Sequence, residues 1–398
     1  MLFAPFIEYP STRTSPLLRR TSRFEIRIGI MLTMRRAVYG IILLLLLLAG
    51  CAPDSKPNSP TAALEPAPKD TLQVVFFDVG QGDSALIVFP NGKTMLIDGG
   101  ETDQGRRLVQ KLGQIGVKQI DWLVATHPHS DHIGGLIQVL KSLPVGEVWD
   151  IAMAYESPVY RDFLLAVRNA RTPDGKRPVF RKVRAGITLT PARGVRVEAL
   201  APREPLLIGT RSDPNNNSLI LRIDAPGGSF LFTGDVEREG RQRLYAARAP
   251  LRADVLKVSH HGAANGTDGM FLRHVNPRVA VISVGAGNRY GHPHRETLAL
   301  LQGRRVYRTD WHGDIVMRLG ADKKLHIATT RRASEPASAA MQPSKPRIAG
   351  VVIGNWNSKV YHTTDCPRLP KPQNQVRFRS AHEAEKAGYR PHACVMGE

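Results

Sequence analysis

Four side chains of the kind that binds metal ions crowd into six positions of this sequence. The segment Thr126–His132 reads Thr-His-Pro-His-Ser-Asp-His, and it follows an apolar run, Trp122–Thr126, that predicts a β-strand. Imidazole nitrogens and carboxylate oxygens bind zinc, manganese or iron, and a turn at a strand end can direct alternate side chains into one cavity. The pattern therefore predicts a metal site at a strand end. The candidate ligands are His127, His129, Asp131 and His132.

Two further ligand motifs each follow a predicted strand farther along the chain. One is Thr233-Gly234-Asp235 and the other is Ser259-His260-His261-Gly262. A histidine taken alone is more often a structural residue than a ligand. Three ligand-bearing strand ends in one chain favour a single shared metal centre.

Strand-like runs alternate with helical runs from Leu72 to about Ala328. The predicted strands are Leu72–Phe77, Ser84–Phe89, Thr94–Ile97, Trp122–Thr126, Val145–Trp149, Ser218–Ile223, Phe230–Phe232, Val255–Ser259, Val279–Val284 and Ile315–Arg318. The predicted helices are Gln104–Gln114, Gly135–Ser142, Tyr160–Asn169, Arg238–Ala247, Phe271–His274 and Arg295–Gln302.

The motifs of this region resemble those of the metallo-β-lactamase superfamily, and more narrowly those of the soluble hydrolase domain of ComEC-type competence proteins. The resemblance covers Leu72–Leu319, about two thirds of the chain. It implies an α/β (α+β) fold, an αββα sandwich with the metal site at the edge between two β-sheets. The motifs are DVGQGDS at 78–84, LIDGG at 96–100, HPHSDH at 127–132, NNNSL at 215–219, TGD at 233–235, HHG at 260–262 and YGHP at 290–293.

Carried over residue by residue, the resemblance implies two divalent ions, zinc or manganese, held at the strand ends. Asp98 would order the loop beneath the ions and need not touch either one. For the last ligand of the second ion the HHG motif offers two neighbours, His260 first and His261 as the fallback. His127 and His129 would bind the first ion. Asp131, His132 and either His260 or His261 would bind the second ion. Asp235 would bind both ions.

The chain departs from the superfamily pattern just before the strand predicted at Ser218. Many members have a third histidine for the first ion there, whereas this chain has Asn215-Asn216-Asn217. Amides are poor zinc ligands, and the ComEC-like subgroup shares the substitution. The departure favours a weaker first site that accepts an oxygen-loving ion such as manganese, or one that fills only when the substrate supplies a ligand.

The expected chemistry is hydrolysis by a metal-activated water. Asp131 can accept a proton from that water while it binds the metal. His292, on a Gly-His-Pro turn, is the candidate for binding or protonating the leaving oxygen, or else it only stabilises its loop. The residues expected to shape the substrate pocket are Asp78, Gln81, Asp83, Asp98 and Asn217.

An export signal is predicted within residues 1–50. The apolar run Ala37–Ala49 follows Arg35-Arg36 and precedes Cys51, and it is shorter than the roughly 20 residues that cross a bilayer. This order resembles a bacterial lipoprotein signal peptide, with an uncleaved membrane anchor as the alternative. We therefore predict a lipid anchor on Cys51, on the periplasmic or extracellular face of the cell envelope. Residues 1–33 would be an overextended start and residues 51–70 a linker.

A small second module is expected at residues 347–398, after a main domain at 71–328 and a polar linker at 329–346. It resembles the metal-binding domain of the Ada DNA-repair proteins, which present four cysteines at comparable points. About 50 residues bury little core, so a structural zinc is expected, and a Cys366–Cys394 disulfide is the alternative. The zinc ligands would be His362, Cys366, His392 and Cys394.

The net charge of the chain indicates what kind of partner it binds. The 398 residues carry a net charge of +20, of which residues 1–50 contribute +5 through seven Arg and two Glu. A basic chain favours an anionic partner. Together with the family resemblance, the charge favours an exported, metal-dependent phosphodiesterase of DNA that uses no small organic cofactor.

Two alternative functions remain. One is a hydrolase of a small ester, a lactam or a cell-envelope phosphodiester, and the other is a non-catalytic DNA-binding lipoprotein.

Overall fold

The computed structural model describes residues 64–331, 351–364 and 366–392. The predicted signal peptide, Cys51 and Cys394 lie outside these residues. Among the residues described, no helix has both the length and the apolar composition needed to cross a membrane.

Strands and helices alternate between Leu72 and Thr329, as predicted. The strands are β1 (Leu72–Phe76), β2 (Ala85–Val88), β3 (Thr94–Ile97), β4 (Ile120–Val124), β5 (Val145–Asp150), β6 (Val179–Lys182), β7 (Thr188–Ala192), β8 (Val195–Ala201), β9 (Ile220–Ala225), β10 (Gly228–Phe232), β11 (Val255–Lys257), β12 (Val279–Ile282), β13 (Arg305–Arg308), β14 (Ile315–Leu319) and β15 (Leu325–Thr329). The helices are α1 (Gly105–Gln114), α2 (Ser130–Ile133), α3 (Leu136–Ser142), α4 (Pro158–Asn169), α5 (Asp213–Asn216), α6 (Arg238–Ala246), α7 (Gly269–Val275), α8 (Arg295–Leu300) and α9 (Thr309–His312).

These strands form two sheets. The first has the order β15-β14-β1-β2-β3-β4-β5-β6, and the second has the order β13-β12-β11-β10-β9-β8-β7. Strands β3 to β6 run parallel in the first sheet, and β10 to β13 run parallel in the second. Loops that follow parallel strands open along one edge of a sheet, where α/β proteins place their ligand sites.

Strand β1 shows why several strands read as continuous apolar runs. Leu72, Val74 and Phe76 pack into the core between the two sheets, whereas Val75 packs into the core between the first sheet and its helices. Phe76 also stacks on Phe232 of the second sheet, with ring centroids 5.6 Å apart. A strand that is covered on both faces needs apolar side chains at every position.

Helices cover the outer face of each sheet. Leu108 of α1, Val139 of α3 and Phe163 of α4 are buried against the first sheet. Leu244 of α6 and Phe271 of α7 are buried against the second. The layers are therefore helices, sheet, sheet and helices, which confirms the predicted αββα sandwich.

The C-terminal module has its own sheet and core. Its strands β16 (Val352–Asn355), β17 (Val360–Thr363), β18 (Gln375–Phe378) and β19 (Arg390–Pro391) pair in the order β18-β16-β17-β19, with helix α10 at Ala381–Lys386. The core of this module is small, as its length requires. It contains Val352, Tyr361, Phe378, Ala381, Ala384 and Tyr389.

Candidate metal centre

The candidate ligands follow three strands whose ends meet at one edge of the sandwich. The segment 127–132 comes after β4 of the first sheet. Asp235 comes after β10 of the second sheet, and His260 and His261 come after β11. Both sheets therefore contribute side chains to one site.

Four of these side chains form a tight cluster, Asp131, His132, Asp235 and His261, whose ligand atoms all lie within 4.8 Å of one another. The His132 Nε2 atom lies 3.3 Å from the Asp235 Oδ2 atom. The His261 Nε2 atom lies 3.2 Å from Asp131 Oδ2 and 3.3 Å from Asp235 Oδ2. Two imidazoles and two carboxylates in this arrangement form a donor set that suits zinc or manganese.

His127 and His129 lie beside this cluster as a pair. The His127 Nε2 atom is 3.0 Å from the His129 Nδ1 atom, and the His127 ring packs 4.1 Å from the ring of His132. Burial, with the nearby His132, lowers the pKa of His127 well below its usual range and also lowers the pKa of His129. Both rings are therefore neutral near pH 7, the form in which imidazole binds a metal.

Hydrogen bonds on the far side of the rings orient two of the cluster histidines. The His132 Nδ1 atom lies 2.8 Å from Asp98 Oδ2, and His261 Nδ1 donates to the carbonyl of Ser283 at 3.0 Å. Asp98 is itself fixed by Thr126, whose backbone N–H and hydroxyl both donate to its carboxylate. Each contact leaves the Nε2 atom facing the cluster, which is how proteins usually orient metal-binding histidines.

The structure separates the neighbours His260 and His261. Both have a φ of 52°, a left-handed conformation that is uncommon outside glycine and typical of functional sites. His261 joins the cluster, whereas His260 Nε2 lies 3.9 Å from Asp235 Oδ2 and His260 Nδ1 lies 3.5 Å from Glu237 Oε1. The geometry favours His261, the fallback of the sequence analysis, as the ligand of the second ion.

The electrostatics of the cluster suit a cation. Burial lowers the pKa of His132 and of His261, but Asp235 and neighbouring carboxylates outweigh it and raise both pKa values well above the usual range. Among the residues described, the buried Nε2 atoms of both histidines and Oδ1 of Asp235 lack a well-aligned hydrogen-bond partner. Buried polar atoms without such partners are costly. A divalent ion among these atoms would satisfy all three, so the residues present fit a metal.

A buried ion pair that the sequence analysis missed lies beneath the cluster. Lys257 Nζ is 2.5 Å from Asp83 Oδ2, and Asp83 Oδ1 is 3.2 Å from His261 Nδ1. Burial raises the pKa of Asp83, but Lys257 and His261 outweigh it and the net pKa is lowered. The available signal was a charged residue inside an apolar run, because a buried lysine requires a partner.

The other expected pocket residues divide into two groups. Gln81 lines the cavity above the cluster. Asp78 instead pairs with Arg331 away from it. The side-chain amide of Asn217 makes hydrogen bonds to backbone groups of Leu207 and so holds the loop before α5. Asn215, and not Asn217, lines the cavity.

The cluster opens to solvent through a cavity of about 410 Å³, and His292 lines this cavity. The His292 ring lies 5.7 Å from the ring of His260 and 6.3 Å from that of His261. Burial, followed by the nearby His261, lowers the pKa of His292 to about 4. Among the residues described, its Nδ1 atom has no hydrogen-bond partner. The neutral ring can therefore contact a bound molecule.

Residues 77–286, more than half of the chain, match the sequence profile of the metallo-beta-lactamase superfamily. The chain belongs to the metallo-β-lactamase superfamily. Membership confirms the resemblance found in the motifs, and it supports a metal-dependent hydrolase.

Two relatives align with more than half of the chain. The chain is 33% identical over 265 residues to ComE operon protein 3 of Bacillus subtilis, covering 62% of this chain and 33% of that protein. It is 30% identical over 260 residues to Competence protein ComA of Neisseria gonorrhoeae, covering 64% of this chain and 33% of that protein. The chain thus spans about a third of the length of these relatives. Among solved structures, YhfI of Bacillus subtilis aligns with a TM-score of 0.40 and 14% identity, over 63% of this chain and all of YhfI.

A second profile, the metal-binding domain of Ada, matches residues 336–395. The metallo-β-lactamase domain is therefore followed by an Ada-like module, as the resemblance predicted. In this module the Cys366 Sγ atom lies 3.4 Å from His362 Nδ1 and 3.7 Å from His392 Nδ1. A thiol and two imidazoles brought together in this way are zinc-type ligands. The fourth expected ligand, Cys394, lies outside the described residues.

Proposed function

We propose that this chain hydrolyses phosphodiester bonds of DNA with a metal-activated water. The observation that carries the proposal is the cluster of Asp131, His132, Asp235 and His261 at an open cavity. The superfamily supports metal-dependent hydrolysis, and the choice of a phosphodiester in DNA is our own step.

Two ions would be held by two sets of ligands. We assign one ion to Asp131, His132 and His261, and the other to His127 and His129, with Asp235 reaching both. When bound, such ions acidify a water nucleophile and neutralise charge on the phosphoryl group. Asn215 on the cavity wall offers only an amide, so the site of His127 and His129, that of the first ion, would be the weaker one and would accept manganese.

The chain's own residues then have distinct roles. Burial raises the pKa of Asp131, but His132 and His261 outweigh it and lower the net pKa, so the carboxylate is ionised near neutral pH. We assign this carboxylate the role of accepting a proton from the water. His292 is neutral near pH 7 and can donate one hydrogen bond to the leaving oxygen. Lys257 and Asp83 hold His261 in place from beneath.

Charge and relatives support DNA as the substrate. Beyond residue 50 the chain has a net charge of +15, and basic proteins gain affinity for nucleic acids by releasing condensed counterions. Two of the relatives are named ComE operon protein 3 and Competence protein ComA, and a third, from Haemophilus influenzae, is named Recombination protein 2.

The remaining assignments complete the proposal. Residues 71–328 would be the catalytic domain, and residues 347–398 would bind one structural zinc and dock DNA. Export and a lipid anchor on Cys51 would place the enzyme at the cell envelope. Two observations support the module's role, namely the gathering of His362, Cys366 and His392 and the match to the Ada profile.

Metal analysis combined with two variants tests the proposal. Purified protein should contain up to two divalent ions in the main domain and should cleave DNA. His129→Ala and Asp235→Ala should lose metal and activity while the circular dichroism spectrum is retained. His326→Ala is the matched control and should retain both metal and activity, because His326 is an exposed histidine of β15 that pairs with Asp322.

A substrate panel separates the alternatives. DNA, RNA, a bis-aryl phosphodiester and a β-lactam should be assayed at several salt concentrations, and DNA turnover should fall steeply with salt. Turnover of the β-lactam alone would refute the phosphodiester assignment. Tight DNA binding by metal-loaded protein without any cleavage would indicate the non-catalytic role instead.

A further inference from the structure

Two exposed tyrosines stand at the cavity that holds the metal cluster. Tyr155 is 36% exposed and Tyr290 is 48% exposed, and both line the same cavity as His129, Asp131 and His261. Hydrolysis needs neither ring. Exposed aromatic side chains placed together at a functional cavity usually mark a binding surface.

The position of Tyr155 is fixed by its surroundings. It lies on the segment after β5, and its ring meets the ring of His129 edge-on, with centroids 5.7 Å apart. At the start of this segment the carboxylate of Asp150 accepts hydrogen bonds from the backbone N–H of Ala152 and, at 3.0 Å, from the hydroxyl of Tyr160. The ring of Tyr155 therefore lies beside His129, on a segment whose start is anchored at Asp150, and still faces solvent.

Tyr290 is held in the same way by its own turn. Its ring stacks on His292 at a centroid distance of 5.5 Å and an interplanar angle of 23°. The guanidinium of Arg289 lies 5.0 Å from the ring centre and donates to the Tyr290 hydroxyl at 2.8 Å. Asn288 braces the turn by accepting from Tyr290 N and donating to the carbonyl of His292. An aromatic face and a cation are thus presented together beside the proposed leaving-group site.

We propose that Tyr155 and Tyr290 stack on unpaired bases next to the scissile phosphate, with Arg289 contacting the backbone, so that the preferred substrate is single-stranded DNA. This inference rests on the proposed function, since it needs a phosphodiester at the cluster. The Tyr155 ring lies beside His129 and the Tyr290 ring beside His292, so the two rings border the site from different loops.

The chemistry of stacking selects the single strand. The faces of paired bases are covered by their neighbours in a duplex, and aromatic side chains can stack only on bases that are unpaired or splayed out. Stacking tolerates any base, because every base has a π-face. We therefore expect weak sequence preference together with strong discrimination against a strand that lacks bases.

The test compares two single strands that differ only in their bases. Metal-loaded full-length protein is assayed on an oligothymidylate and on an equally long strand of abasic tetrahydrofuran sites. In Tyr155→Ala and in Tyr290→Ala, the ratio of kcat/KM for the base-bearing strand to that for the abasic strand should fall roughly 5- to 150-fold, since one stacked base contributes about 1–3 kcal/mol. Tyr155→Phe keeps the ring and should restore the ratio. Trp311→Ala, which removes an exposed ring that packs on Arg308, is the control and should leave the ratio unchanged.

Each outcome decides a different point. If the alanine variants lose the same factor on both strands, the tyrosines only shape the site and the inference is refuted. The same assay is run on duplex DNA. If the wild-type protein cleaves the duplex faster than the single strand, and the alanine variants cleave both at the wild-type rates, the inference also fails while the proposed function stands. If the wild-type protein cleaves no DNA but turns over a small phosphodiester or ester, the proposed function itself fails and the inference falls with it.

Discussion

Asp150 gives the sharpest quantitative prediction, because it is a buried acid outside the metal centre. It ends β5, is 2% exposed and accepts hydrogen bonds from Ala152 N and from the Tyr160 hydroxyl. Burial raises its pKa from 3.8 to about 6, even though these hydrogen bonds and Arg184 lower it. The native state therefore binds a proton here at a pH where the unfolded chain has released it.

Asp150→Asn removes this proton binding and keeps an oxygen that can accept the same two hydrogen bonds. A pKa difference of about 2 units corresponds to about 3 kcal/mol. Because the native pKa is the higher one, stability linked to Asp150 is present below about pH 4 and is lost as the pH rises through about 6. Relative to the variant, the wild-type protein should lose about 3 kcal/mol of unfolding free energy between about pH 4 and pH 7.

Urea unfolding followed by tryptophan fluorescence measures this difference, since Trp149 lies next to Asp150 and is buried. Both proteins are unfolded in parallel across the pH range, in the same metal state, and the difference between their unfolding free energies is plotted. Tyr160→Phe removes a hydrogen bond that lowers the pKa, so its curve should shift to higher pH. A difference that stays constant with pH, or that favours the wild-type protein as the pH rises, would contradict the reasoning.

Three further outcomes are expected. Lys257→Met leaves Asp83 buried without its cation and should reduce the unfolding free energy by about 3 kcal/mol in chemical denaturation, whereas the double variant Lys257→Met with Asp83→Asn should recover part of the loss. The isolated segment 347–398 should be unfolded with chelator and folded with zinc by circular dichroism, and unfolding on addition of reductant instead would show a disulfide. Cys51→Ser should move the protein from the membrane to the soluble fraction, and persistent membrane partition would indicate an uncleaved anchor.

The gathering of the candidate ligands at one edge of the sandwich was largely predictable, because most of them lie close in sequence or directly after apolar strands. The choice between His260 and His261 was not, since it depends on two consecutive left-handed residues that orient the rings differently. Lys257 was missed because its partner Asp83 is far away in sequence and only the fold brings the two together. Asn217 and Asn215 could not be told apart, because three consecutive asparagines do not reveal which amide bonds to Leu207 and which lines the cavity.

In the main domain, the strands missing from the sequence prediction are mostly edge strands. Strands β6, β7, β13 and β15 each end a sheet, and edge positions lack the apolar pattern that marks a covered strand. All four residues of β6 are exposed, and β7 contains Pro191, which is tolerated only where no ladder hydrogen bond is needed. Strand β8 is the exception. It is interior, and its alternation of Val195, Val197 and Ala199 with Arg196 and Glu198 was a readable signal.

Because the candidate ligands come from both sheets, the stability of the domain would depend on the concentration of free metal around it. His132 follows β4, while Asp235 and His261 follow β10 and β11, so an ion bound by all three acts as a cross-link between the two halves of the sandwich. A ligand that binds only the folded chain stabilises it by about 2.7 kcal/mol at a hundredfold excess over its Kd. With such an ion bound, the sandwich would be held together partly by a ligand drawn from solution, and removal of the metal would weaken the attachment of the two sheets at this edge.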